Sequence, residues 1–409
     1  MMKTQFLILY VILILTGGYQ VAGQKQTNPT DYLKAVAFFN LKNYPRSLEL
    51  TESLIQENTD EVHFILLKGK ALYESGHYNE ARQTFLEANN LQNNIASLEL
   101  AKTYARLGDE GNMYHHLEEH LSSRYKKPET RVKLDSAFLP YENSGDWKTF
   151  WSKEWDSSKE KALQETAYYI KYENYNQAIK LADEAIEKSN RDHAMYAKRG
   201  LAYANLKDHN QAIRDYSRAI KQYRRNAEYY VLRAKSLEAV SKFGKAIEDV
   251  REAMELEPEN LELIKYKSVL HTKNEDYEPA EANMLLYLEL FPDNENNWFQ
   301  CANMYMLFEK PIKALPYINK CLEKNQSKPE YFKTRGDAYL QTKMYKYAIK
   351  DYSMALDLEP DNAETYLNKG LARKRSGDDS GACADWDKAR RLGSREAMKL
   401  MLESDCEIR

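Results

Sequence analysis

The 409-residue chain is short of the residues that turn a backbone, with only 15 Gly and 11 Pro. Sheet-rich folds need such residues at their hairpins, so long helices with brief connections are expected instead. Charge of one sign is also lacking: 59 Lys and Arg face 62 Asp and Glu, for a formal net charge of -3. A nucleic-acid binder would need a marked basic excess for its phosphate contacts, which argues against that class. The four cysteines, Cys301, Cys321, Cys383 and Cys406, form no C-x-x-C pair, so neither a metal knuckle nor a disulfide framework is indicated. One bridge stays open to an oxidising compartment, with small buried thiols the simpler expectation. Gly-rich phosphate loops and G-x-S-x-G elbows are missing too.

Long apolar runs are confined to the N-terminus. There Met1, Met2 and Lys3 precede an apolar stretch from Phe6 to Leu15, then Thr16, Gly17 and Gly18, then the small residues Val21, Ala22 and Gly23. This layout predicts a secretory signal peptide over residues 1–23, cleaved after Gly23. The run is about half of the ~20 residues that span a bilayer, which leaves a permanent anchor as the alternative. No Cys lies near the cleavage position, so a lipid anchor there is unsupported. An exported chain, periplasmic or secreted, without stable membrane insertion is expected.

What the sequence has in abundance is self-similarity. With Pro329 as position 1, Phe332 is position 4, Gly336 position 8, Tyr339 position 11, Ala348 position 20, Tyr352 position 24, Ala355 position 27 and Pro360 position 32. Steps of 34 residues bring equivalent residues into the same columns: Trp298, Ala302, Tyr305 and Ala314; Tyr230, Ala234 and Ala246; Tyr196, Gly200, Tyr203 and Ala212; Tyr366, Gly370 and Ala382. Seven units in one register run over 159–396. Within each, apolar and small residues recur at i, i+3, i+4 and i+7, which predicts two amphipathic helices per unit. Small residues at positions 8 and 20 let the paired helices approach, and aromatics at 4, 11 and 24 are expected to fill the space between units. Proline at position 32 stops the second helix, and the Asn two residues later, as in Pro292-Asp293-Asn294 and Pro360-Asp361-Asn362, can cap the next one.

The 34-residue period and its small-aromatic-proline columns resemble the tetratricopeptide repeat. That resemblance implies an all-α, right-handed superhelical solenoid of antiparallel helix pairs. Residues 28–121 carry about three looser units, with Ala35, Phe38 and Leu54, then Gly69, Leu72 and Phe85, then Ala101 and Tyr104 in the expected columns. Between the two arrays, residues 122–158 break the register and collect Phe138, Tyr141, Trp147, Phe150, Trp151 and Trp155. The last four fall on one helical stripe, with Ser144 or Asp146 as its cap, and the segment is expected to cover the end of the first array. Residues 394–409 supply a C-terminal capping helix and tail.

One constellation suggests chemistry. His116-Leu117-Glu118-Glu119-His120 matches H-x-x-E-H, in which two imidazoles hold zinc and the carboxylate acts as base. It falls in the second helix of the third unit, where Leu117 and His120 occupy packing columns, so core packing is the expected role. No catalytic residue, metal ligand or cofactor is assigned.

Members of the resembling family bind proteins on a concave face lined by positions 2, 5, 9, 12 and 13, with position 6 contributing. Carried onto this chain, the wall comprises Lys198, Lys235, Lys265, Phe299, Asn303, Met306, Lys333 and Asp337. The implied partner is a protein or an extended peptide with apolar anchors near Phe299 and Met306 and acidic residues facing Lys235, Lys265 and Lys333. The pattern that grips C-terminal carboxylates, Lys at 5 with Asn at 9, is not kept: Lys265 is followed by Val269, and Lys333 by Asp337. The expected function is a non-catalytic interaction scaffold of the bacterial envelope, the alternatives being a repeat protein with a hydrolytic or zinc site at 116–120 or a membrane-anchored adaptor.

Overall fold

A computed structural model of the chain describes residues 29–189 and 191–406. The expected signal segment lies outside these residues. Everything regular among them is helical, and no described helix is long and apolar enough to cross a membrane. The all-α architecture of antiparallel helix pairs is therefore as expected.

The first three pairs are α1 (Pro29–Asn40) with α2 (Tyr44–Glu57), α3 (Val62–Glu74) with α4 (Tyr78–Leu91), and α5 (Ser97–Leu107) with α6 (Glu110–Leu121). After short α7 (Glu129–Lys133) and α8 (Gly145–Ser152) come α9 (Ser158–Lys171) with α10 (Tyr175–Lys188). Next follow α11 (His193–Asn205) with α12 (His209–Gln222), and α13 (Ala227–Ala239) with α14 (Phe243–Leu256). The remaining pairs are α15 (Glu262–Lys273) with α16 (Tyr277–Leu290), α17 (Glu295–Leu307) with α18 (Pro311–Lys324), α19 (Pro329–Gln341) with α20 (Tyr345–Leu358), and α21 (Ala363–Ser376) with α22 (Asp379–Arg391). A last helix, α23 (Arg395–Glu403), closes the series. The described residues form two compact units, divided between Leu263 and Ile264 in the first turn of α15.

Every pair turns over in the same way. Position 15 adopts a left-handed backbone throughout, as Gly76, Gly108 and Gly377 and, at less favourable residues, as Lys42, Glu173, Lys207, Ser241, Glu275, Glu309 and Lys343. That conformation lets the next N–H reach back to the carbonyl of position 11, for example Met344 N to Tyr339 O at 2.8 Å and Asp208 N to Tyr203 O at 2.9 Å. The same residue then caps the second helix, as Asp208 does for Gln211 N and Asp378 for Gly381 N. Asn294 and Asn362 cap α17 and α21 as the sequence suggests.

The interior adds to one expectation. Aromatics at position 24 reach the next helices, as Tyr352 does with Ala372 and Trp386 with Ala397 and Met401, but they also lie on the glycine at position 8 of their own unit. A Cβ on Gly336 would stand 2.8 Å from the Tyr352 ring, and one on Gly200 would stand 2.9 Å from Tyr216. Gly69 with Phe85 and Gly370 with Trp386 repeat the arrangement. Where position 8 is larger, position 24 shrinks: Ala234 meets Val250, Ala302 meets Ile318, and Thr166 meets Ala182 in the same columns, all buried. Two side chains share one fixed volume, as close packing requires.

A ladder of ions crosses the pairs. Arg335 at position 7 makes a two-pronged contact with Asp351 at position 23 (2.6 and 2.9 Å) and reaches back 16 residues to Asn319 (2.9 Å). Arg199 likewise holds Asp215 and Asp183, and Arg233 holds Asp249 and Ser217. Each guanidinium thus joins its own helix pair to the preceding one.

Residues 122–158 fold onto the first array. Phe138, Trp147 and Phe150 are buried in one cluster with Met113, Leu117 and Leu121, and Tyr141 donates to Ala105 O at 2.7 Å. Ser144 caps α8. The expected four-residue stripe is only partly formed: α8 ends at Ser152, so Trp155 lies outside it and instead packs its ring on Phe150 at 5.0 Å.

Cysteine chemistry also departs from expectation. Cys301 and Cys321 are buried free thiols, but Cys383 and Cys406 form a disulfide with Cα atoms 5.6 Å apart. It ties the end of α23 to α22, where Ala397 and Met401 already pack on Trp386 and Ala389. The two cysteines are 23 residues apart, and closing a loop of that size restricts the unfolded chain by about 3 kcal/mol. Reduction should therefore weaken the C-terminal repeat by about that amount, read as a shift in denaturant unfolding with and without reductant; a Cys383→Ser chain should show no such shift.

Candidate functional site

The first helices of consecutive pairs stand side by side in the second unit, and three of them, α17, α19 and α21, wall a shallow concavity of about 610 Å³. Asn303, Met306 and Leu307 come from α17, Asp337, Leu340 and Gln341 from α19, and Asn368 from α21. The i, i+3, i+4 spacing on each helix is what presents these side chains together. Leu307 is 73% exposed, an unusual position for a large aliphatic residue.

Three of the residues expected to line the wall, Asn303, Met306 and Asp337, are brought together here. Phe299 lies on the same helix, half-buried, with its ring 4.8 Å from that of Tyr331. Lys265 sits over the Tyr287 ring at 4.9 Å. Lys198, half-buried, and Lys235, exposed, belong to the other unit.

Lys333 requires a correction. It is not an open ammonium awaiting an acidic ligand, since it pairs with Asp337 Oδ2 at 3.1 Å and Glu364 Oε1 at 3.0 Å. These partners hold its pKa above the ordinary lysine value against the opposing effect of burial. Asp337 is committed as well: Tyr352 Oη and Asn368 Nδ2 donate to its other oxygen at 2.7 and 2.9 Å. The floor of the concavity is thus an internally paired network of one ammonium and two carboxylates, and the groups left to meet a ligand are chiefly apolar side chains and the carboxamides of Asn303 and Gln341. Leu307, Leu340, Gln341 and Asn368 were not among the expected wall residues, yet they occupy positions 13, 12, 13 and 6, so the same positional rule would have found them.

The H-x-x-E-H reading does not hold at its last residue. His120 is buried, and its Nε2 accepts the Lys127 backbone N–H at 3.0 Å, which uses the lone pair that a metal would need. Burial, helped by nearby Lys127 and Lys126, pushes its pKa down to about 4. In the unfolded chain an imidazole protonates near pH 6.5. As pH falls below that value the unfolded state takes up the proton first, so stability that is complete above about pH 6.5 declines toward pH 4, by roughly 3 kcal/mol over the window. His120→Gln should flatten this slope in pH-dependent urea unfolding.

Comparison with known proteins places the repeats. Family profiles described as tetratricopeptide repeat match residues 66–111 and 193–226, and one described as TPR repeat matches residues 336–377. A UDP-N-acetylglucosamine--peptide N-acetylglucosaminyltransferase of Giardia intestinalis is 29% identical over 105 residues, which are 26% of this chain and only 7% of that enzyme. Among solved structures, a tetratricopeptide repeat protein from Parabacteroides merdae is 17% identical, with 60% of this chain and 97% of that one covered, at a TM-score of 0.46. The C-terminal part of a TPR repeat-containing protein from Cytophaga hutchinsonii is 15% identical, with 58% and 98% covered, at 0.49.

Proposed function

Because the chain is a tetratricopeptide-repeat protein, we propose that it is a non-catalytic scaffold that binds an extended segment of a partner protein along its first helices. The carrying observation is the concavity of α17, α19 and α21, where Met306, Leu307 and Leu340 offer an apolar seat and Asn303, Gln341 and Asn368 surround it. Carboxamides both donate and accept hydrogen bonds, which suits the alternating N–H and C=O groups of an extended backbone. A bound segment would set one or two aliphatic or aromatic side chains against this wall. Because Lys333 is already paired, the seat is expected to select apolar over acidic side chains.

We also propose export to the periplasm or beyond. The layout of residues 1–23 supports it, and so does the Cys383–Cys406 bridge, since disulfides persist in oxidising compartments. Sequencing of the protein recovered from cell fractions should find an N-terminus at Gln24; an intact Met1 would sink the cleavage reading.

A photo-crosslinking residue introduced at Leu307 should capture a defined partner in intact cells, and the same probe at exposed Ile312 on α18 should not. Met306→Asp should abolish capture at Leu307 while leaving the helical content unchanged. Equal capture at both positions, insensitive to Met306→Asp, would remove the concavity from consideration.

A further inference from the structure

We propose that His115, His116 and Glu119 on α6 form a binding site for a divalent transition-metal ion of the zinc class. The site is offset by one residue from the motif legible in the sequence: His120 is turned into the core, and His115 takes its place. One donor atom from each of the three residues lies within 4.8 Å of the other two. His116 Nδ1 stands 2.7 Å from Glu119 Oε2, and His115 Nε2 stands 3.6 Å from Glu119 Oε1, so each carboxylate oxygen faces a different imidazole.

Successive residues of a helix point about 100° apart, so neighbouring imidazoles normally diverge. Here their ring centroids are 5.1 Å apart, both turned to one carboxylate. Ligand atoms about 2.0–2.2 Å from a tetrahedral ion are separated from each other by about 3.3–3.6 Å. The His115–Glu119 distance is within this range, the His116–Glu119 contact is shorter, and the donor atoms all lie within 4.8 Å of one another, so side-chain rotations would bring the three onto one ion. Two nitrogens and one oxygen are the donor set that suits zinc, nickel or copper rather than calcium or magnesium.

Surrounding groups hold the donors in place. The Tyr104 ring stacks on His116 at 5.3 Å and 12°. Ser97 Oγ donates to Glu119 Oε2 at 3.1 Å and is itself held by Asn89 Nδ2 at 3.2 Å. Such outer partners fix the orientation of ligating groups. His116 is buried while His115 is 63% exposed, so an ion would sit at the surface with a coordination position left for water or for a side chain of another molecule. Helical i, i+3 and i, i+4 spacing brings both imidazoles to Glu119, and the convergence of three donors of this type is what suits an ion.

Zinc added to the full-length, untagged protein should bind one equivalent in competition with a chromophoric chelator. His115→Ala and Glu119→Gln should each weaken binding at least tenfold with unchanged circular dichroism, and His63→Ala, at an exposed histidine on α3, should leave it as it was. Cobalt in place of zinc should give visible bands of four-coordinate intensity that are lost with His115→Ala. No binding by the parent chain, or binding that survives both His115→Ala and Glu119→Gln, overturns the proposal. Neither result bears on the partner-binding concavity, which lies in the other unit.

Discussion

Truncating Tyr352 to alanine is expected to lower the unfolding free energy by about 3–5 kcal/mol, the range for emptying a fully buried aromatic site. The ring has no exposed surface, fills the hollow over Gly336, and its hydroxyl donates to Asp337. More telling is the coupling. Gly336→Ala alone should destabilise by roughly 1–3 kcal/mol, because the new Cβ meets a ring that has nowhere to move. In a Tyr352→Val background the same change should become favourable, since it recreates the Ala234–Val250 pair of the α13–α14 repeat and gains about 0.5–1 kcal/mol of helix propensity. Urea unfolding of the four chains measures this, and a coupling energy below about 0.5 kcal/mol would contradict the shared-volume account.

Arg335→Ala is expected to cost about 3–5 kcal/mol, the penalty of leaving a buried carboxylate without its counter-ion. Asp351 has a side chain only 4% exposed, and Arg335 supplies its countercharge. Removing both residues should cost less than the sum of the single changes, because the stranded charge is gone. Arg335→Lys should fall between: one ammonium cannot offer two parallel donors to Asp351 and a third to Asn319. Denaturation of the double-mutant set decides this, and additive costs would mean that the ladder is decorative.

The helix pairs were legible because their packing demands are purely steric and recur every 34 residues. A column that needs a small residue excludes large ones wherever it falls, so Gly200, Ala302 and Gly336 declare themselves without coordinates. The reciprocity of positions 8 and 24 was also present in the sequence, but it appears only when two columns are read together, as Gly69 with Phe85 against Ala302 with Ile318. Polar features were harder to read. Arg335 and Asp351 are 16 residues apart, and nothing local distinguishes them from solvated charges until the helices are paired. Pairing of Cys383 with Cys406 depends on how α23 folds back, and His120 reads as a ligand until the backbone of Lys127 is seen to occupy its nitrogen. In the concavity, positional inheritance located Asn303, Met306 and Asp337, but it could not reveal that Lys333 is already neutralised.

Left-handed residues at the helix-to-helix corner carry a practical corollary. Lys, Glu and Ser occupy that conformation seven times where glycine would adopt it freely, at a cost on the order of 1 kcal/mol each. The protein therefore holds an unused reserve of thermal tolerance, six of the seven corners lying between Glu173 and Lys343. Exchanging these corners for glycine, one at a time or together, gives graded control over melting behaviour from outside the hydrophobic interior, so repeat-by-repeat endurance can be adjusted while the recognition face is kept intact.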